Sequence, residues 1–297
     1  MTMSAEMNKR TRDALLGPDA DFLIDLAFRM KLGIPTNGDH AEVKPRAVAL
    51  GWLQSDGRKF TREGELLGDS LREYVFWQRR RRELPAEGQI LHLSQAHYLG
   101  KSVVEIGSGY GSNLLSLRQT ANHAVGVEPC AIYRQMSAIL CEREHMEPLD
   151  LREGSGERTL LADESFDVVL CISSHQYTDI RTLISEVVRI LKPGGELQIV
   201  GGTMGTYARV GMEPILKGSP RGFLSYAKTI ANTLSYVATS RRLVGQGRLG
   251  TAYPIYPARR RMSRWLELAG LKQARPCAEL WPETVFSYNK PSAASPR

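Results

Sequence analysis

Three glycines at alternate positions, Gly107, Gly109 and Gly111, follow the short apolar run Val103-Val104-Glu105-Ile106. Glycine has no Cβ and tolerates positive φ, so a backbone built this way turns sharply and lets a ligand approach closely. Residues 113–118 then show helical spacing, and the unit reads as strand, glycine turn, helix. Such a unit holds a nucleoside-type ligand at the carboxyl end of its strand. Two carboxylates frame it. Glu105 precedes the turn, and Glu128 ends a second apolar run, 123–127. An acid about twenty residues past the turn is placed to accept hydrogen bonds from ribose hydroxyls. The spacing G-x-G-x-G also departs from the dinucleotide pattern G-x-G-x-x-G. His175, just after the apolar run 166–172, is a third group with chemistry. Imidazole titrates near neutral pH and suits a general base, with helix capping or a cofactor contact as the alternatives.

These groups need a scaffold. The nearly continuous apolar run 166–172 fits a strand of a parallel sheet buried on both faces. Apolar residues at 180, 183, 184, 187, 188 and 191 make one helical face. Pro193-Gly194-Gly195 is expected to stop that helix and turn into a strand over 196–200. A helix over 260–270, ended by Gly270, precedes expected strands at 271–278 and 284–288. Alternating strands and amphipathic helices predict an α/β sandwich with a mostly parallel sheet.

Four blocks, 103–111, 125–129, 162–170 and 186–197, resemble in order those of class I S-adenosylmethionine-dependent methyltransferases. The likeness is to the broad group that includes quinone-biosynthesis C-methyltransferases and natural-product enzymes. The resemblance implies a Rossmann-like, seven-stranded, mostly parallel sheet with helices on both faces, and S-adenosylmethionine as cofactor. It assigns the methionine moiety to Glu105 and the turn Gly107, Gly109 and Gly111, and the ribose to Glu128. The acid that the family often turns toward the adenine amino group falls here on Ser155, a departure. Adenine recognition then rests on Ser155, Gly156 or Glu157. The histidines show no metal-ligand spacing, so no metal is expected.

At 297 residues and 42% hydrophobic, the chain suits one large domain, 96–297, with a smaller one over 1–95. In the smaller segment, residues 22–32 read as a helix stopped by Gly33. Residues 50–61 read as helix end, strand, Asp56-Gly57 turn, strand and a Thr61 cap, followed by a helix over 61–84. That order resembles a mainly helical winged-helix domain. The Arg79–Arg82 run is expected to be the solvated end of the long helix. With 15 basic and 14 acidic residues, 1–95 is poorly charged for duplex binding. It is expected to support a homodimer or to floor the acceptor pocket.

The positive charge lies elsewhere. Residues 96–203 carry 9 basic and 14 acidic groups, whereas 204–275 carry 13 and 2. An insertion over 204–257 leaves the carboxyl end of a strand and is expected to cap the ligand crevice. It sets Tyr207 and Tyr226 among Arg209, Lys217, Arg241, Arg242 and Arg248. A small acceptor, anionic and partly apolar, is expected there, with Tyr207, Tyr226, Arg209, Arg241 and Arg242 as its contacts. The alternatives are a solvated excursion, an anionic membrane surface, an RNA methyltransferase whose aromatics stack bases, or a non-catalytic winged-helix regulator. No apolar run approaches the ~20 residues of a membrane span, and no signal-peptide pattern opens the sequence. The four scattered cysteines fit a reducing cytoplasm.

Overall fold

The strands and helices come from a computed structural model that describes residues 1–36, 38–83, 89–90, 93–210, 212, 220–245, 252–280 and 283–292. The strands of the main sheet are β1 Ser102–Ile106, β2 His123–Val127, β3 Asp150–Arg152, β4 Phe166–Ile172, β5 Leu191–Gly201, β6 Lys272–Leu280 and β7 Glu283–Asn289, and Gln89–Ile90 pairs separately with Leu93–Ser94. The main sheet is seven-stranded, in the order β3-β2-β1-β4-β5-β7-β6. β1 pairs in parallel with β2 and β4, and β4 with β5. β7 runs antiparallel between β5 and β6. The mostly parallel sheet and its seven strands match the expectation. The chain divides into two compact units, one of 1–97, 108–120 and 128–153, the other of 98–107, 121–127 and 154–297.

In the first unit, helices α1 Ala5–Leu16, α2 Ala20–Leu32, α3 Asp39–Ala49 and α4 Arg62–Glu83 are followed by α5 Ser112–Leu117 and α6 Ala131–Arg143. Leu15, Leu23, Leu26, Leu67 and Leu71 are fully buried. Gly33 ends α2 in the left-handed conformation that a glycine adopts without strain. Thr61 Oγ1 accepts from the Gly64 amide at 2.9 Å, the expected cap of α4. Between them, the predicted strand pair is a single antiparallel bridge, Leu53 with Phe60. The arginine run at the end of α4 is not simply solvated. Arg79 lies 4.7 Å over the Phe28 ring, while Arg81 stacks on Trp77 and pairs with Glu144 at 3.1 Å. Arginine covers aromatic faces well because its planar cation is weakly hydrated.

The second unit holds the apolar face of the sheet. Val104, Ile106, Val169, Cys171, Leu197, Ile199 and Phe286 pack with α7 Ile180–Ile190 and α10 Arg259–Leu268. Asp179 caps α7, accepting from the Thr182 amide at 2.9 Å. The helix stops at Ile190, three residues before Pro193, and β5 already begins at Leu191. The ring of Pro193 pushes the residue before it toward extended backbone, so the stop precedes the glycines rather than coinciding with them. Glu105, Leu170, Gln198 and Ser287 stand in one row across β1, β4, β5 and β7. The cap contributes α8 Met204–Val210 and α9 Pro220–Thr239.

Candidate functional site

The three glycines of the turn have different reasons to be glycine. Gly107 sits at φ 70°, and its amide donates to the Val127 carbonyl at 2.7 Å. A Cβ there would lie 2.4 Å from that of Ser174, whose hydroxyl donates to the Ile106 carbonyl at 2.7 Å. Gly111, at φ 94°, would put a Cβ 2.5 Å from Leu149. Both positions are closed by the protein's own packing. Gly109 is the exception. At φ 57° its bare side meets nothing within 4 Å among the described residues. A cradle of this kind, where an added Cβ would fill open space, fits the close approach of a ligand.

Glu128 lies beside Gly109. Its Oε2 accepts from the Gly109 amide at 2.9 Å and its Oε1 from the Cys130 amide at 2.8 Å. Arg134 donates to its carbonyl oxygen. The residue is only 5% exposed, and burial raises its pKa against the pull of those two amides. A carboxylate so held is aimed before any ligand arrives. Ser108 Oγ, buried in the same turn, has no hydrogen-bond partner among the described residues. Glu105 is also buried, at 2% exposure, on β1. The open side of Gly109, the aimed Glu128 and the unpaired Ser108 hydroxyl fit a polar nucleoside-type cofactor.

The adenine candidates form a tight hairpin-like corner. Ser155 and Arg158 exchange backbone hydrogen bonds, both 3.1 Å. A Cβ on Gly156 would come within 3.0 Å of both Leu183 and Thr178, so this glycine serves packing as well as any ligand. Glu157 Oε1 accepts from the Asp179 amide at 2.7 Å, just before α7. A carboxylate at that helix start also interacts well with the helix dipole.

His175 is 1% exposed in a short 3₁₀ turn, pressed against Gly201 and Gly202. Burial drives its pKa down to about 4, opposed by a hydrogen bond that the ring donates to the Gly202 backbone carbonyl. The ring is therefore neutral at neutral pH and a weak proton acceptor. Arg242 holds the same turn, donating to the carbonyls of Gln176, Tyr177 and Thr178. That guanidinium is committed to backbone, whereas Arg209 and Arg241 are exposed. Tyr207 stacks on Tyr256 with centroids 4.4 Å apart and on Tyr226 at 5.6 Å. Gly202 makes room for this stack, since a Cβ there would lie 2.8 Å from the Tyr256 ring. Lys217 and Arg248 lie outside the described residues.

Sequence reading missed Ser174 and Asn232 as organisers of these groups. Asn232, fully buried, donates to the carbonyls of Val244 and Tyr253 and accepts from the Val244 amide at 3.0 Å. Its signal was present: Thr229, Asn232 and Thr233 share one face of their helix. No group of acids, histidines and cysteines among the described residues suits a metal ion.

Residues 104–199 match the family described as "Methyltransferase domain". A phthiotriol/phenolphthiotriol dimycocerosates methyltransferase of Mycobacterium tuberculosis is 39% identical over 100 residues, 32% of this chain and 36% of its own length. The uncharacterized methyltransferase YcgJ of Bacillus subtilis is 26% identical over 99 residues, 33% of this chain and 39% of its own. The chain thus spans little more than a third of the curated relatives it matches. The crystal structure of Bacillus subtilis YcgJ covers 74% of this chain and 98% of its own, at 12% identity and a TM-score of 0.45. A possible histamine N-methyltransferase from Thermotoga maritima covers 77% and 99%, at 17% identity and a TM-score of 0.46. Residues 104–199 of the chain are accordingly similar to a methyltransferase domain.

Proposed function

We propose that the protein methylates a small acceptor, anionic and partly apolar, with S-adenosylmethionine as donor. The observation that carries the cofactor half is the open side of Gly109 beside the buried carboxylate of Glu128. The bound cofactor supplies a sulfonium methyl that leaves by in-line displacement, so the protein's task is alignment and water exclusion. Glu128 would accept from ribose hydroxyls, and the backbone of Gly107, Gly109 and Gly111 with Glu105 would hold the methionine end. Ser155 and Gly156 would contact adenine, with Glu157 steadying the start of α7. His175, neutral and buried, is assigned to shaping the 174–178 turn.

The acceptor half rests on the cap. Arg209 and Arg241 offer exposed guanidinium groups, which bond carboxylate or phosphate in a bidentate way. The stack of Tyr207, Tyr226 and Tyr256 offers apolar surface next to polar hydroxyls. The mycobacterial relative is named for phthiotriol and phenolphthiotriol dimycocerosates, which favours a small-molecule acceptor over RNA. Residues 1–95 are assigned to a homodimer contact or to the acceptor pocket, on the strength of their balanced charge. Four free cysteines support a reducing, cytoplasmic setting.

The test is donor consumption by the full chain against parallel pools of small carboxylates and phosphates, lipid extracts and RNA. Turnover with an anionic small molecule or lipid is expected, falling as ionic strength rises. Turnover with RNA alone, or with a neutral acceptor indifferent to salt, would contradict the reading.

A further inference from the structure

Helix α9 carries an apolar stripe on its outer side. Its buried side carries Tyr236 in the hydrophobic core together with Thr229, Asn232 and Thr233, each no more than 1% exposed. Those groups are satisfied by backbone: Asn232 by Val244 and Tyr253, and Thr233 by the Tyr256 amide at 3.0 Å. Its outer side carries Phe223 at 58% exposure, Leu224 at 54% and Leu234 at 61%. Ala227, Ala231 and Ala238 are exposed along the same stripe. The spacing of three and four residues puts all of these on one face of a 20-residue helix, about 30 Å long. A soluble helix exposes a polar face; this one shows a second apolar stripe to solvent, and contiguous exposed apolar surface marks a docking face.

We propose that this face of α9 docks on an anionic lipid surface. Charge selects the occupant. The stripe is bordered by exposed Lys228 and followed by exposed Arg241. From Met204 to Leu266 the sequence holds one acidic residue, Glu213, which lies outside the described residues. A second copy of the same face would bring like charges together, whereas a bilayer with anionic headgroups offers acyl chains and negative charge at once. No helix among the described residues is long and apolar enough to cross a membrane, so α9 would lie on the surface and not span it. The inference is independent of the acceptor's identity and needs no turnover to test.

The experiment is vesicle flotation of the full chain, with phosphatidylcholine vesicles compared against equimolar phosphatidylcholine and phosphatidylglycerol. Phe223→Ser/Leu234→Ser removes the stripe, Phe223→Leu/Leu234→Ile keeps it apolar, and Lys228→Gln removes a bordering charge. Thermal melting checks folding, which these exposed positions should leave unchanged. The expected result is binding to the anionic vesicles, weakened about tenfold or more by the serine pair. The Leu/Ile pair should restore it, while Lys228→Gln and added salt weaken it severalfold. Absence of the wild-type chain from anionic vesicles, or equal flotation of the serine variant, would overturn the proposal. So would a solution dimer that the serine pair dissolves, because the face would then belong to a second copy.

Discussion

Around Gly109 the chain leaves space beside a buried carboxylate; in the cap, Arg242 is used up on three backbone carbonyls. Both regions carry charged groups next to turns. They differ in what satisfies those groups. Glu128 takes two amides from its own loop and keeps a place next to an open glycine, a geometry that a ligand's hydroxyls can enter. Arg242 is part-buried, with burial lowering its pKa, and its contacts are those of a brace.

The largest expected effect separates the glycines. Gly107→Val should destabilise the fold by about 3 kcal/mol or more in chemical denaturation, since its side chain meets Ser174 on a strained backbone. Gly109→Ala should cost only about 1–2 kcal/mol of stability, from positive φ alone. Equal losses at the two positions would erase the distinction between packing glycine and ligand glycine.

His175 should show in the pH dependence of stability. Burial holds its folded pKa at about 4, below the unfolded value of about 6.5. Its neutral form is therefore favoured by folding. That contribution is complete above pH 6.5 and is lost as pH falls toward 4. The wild type should lose about 3 kcal/mol more than His175→Gln across that window, measured by denaturant midpoints. A pH–rate profile that shifts in this variant without a stability change would instead return the ring to catalysis.

Within the cap, Arg242→Gln should lower stability by about 1.5–3 kcal/mol, the usual worth of hydrogen bonds from a charged donor. Arg241→Gln should leave stability within about 0.5 kcal/mol and raise KM for an anionic acceptor severalfold. If Arg242→Gln altered KM alone and left the fold untouched, the brace would be a substrate contact.

The parallel half of the sheet was legible because its signals are local. The run 166–172 is apolar because both faces of β4 are covered, and the stripe from Ile180 marks α7 directly. Glu128 was legible for the same reason, as an acid fixed in register at the end of β2. Residues 50–60 were less so. Asp56-Gly57 does make a turn, but the flanking residues pair at one bridge only. The cap's arginines look alike in sequence, and nothing local tells Arg242 from Arg241 because the carbonyls that separate them lie more than sixty residues away. The buried polar groups of α9 could be seen in its threonines and asparagine, but their backbone partners come from 244–256 and only the fold supplies them.

Titration calorimetry of S-adenosylmethionine into the wild type, Gly109→Ala and Glu128→Ala, each shown to be folded by its melting transition, tests the central claim most directly. The account predicts one saturable site in the wild type. It predicts a loss of about 1.5–3 kcal/mol in Glu128→Ala and a larger loss in Gly109→Ala, whose added Cβ enters the open side of the turn. Wild-type affinity in both folded variants would contradict it.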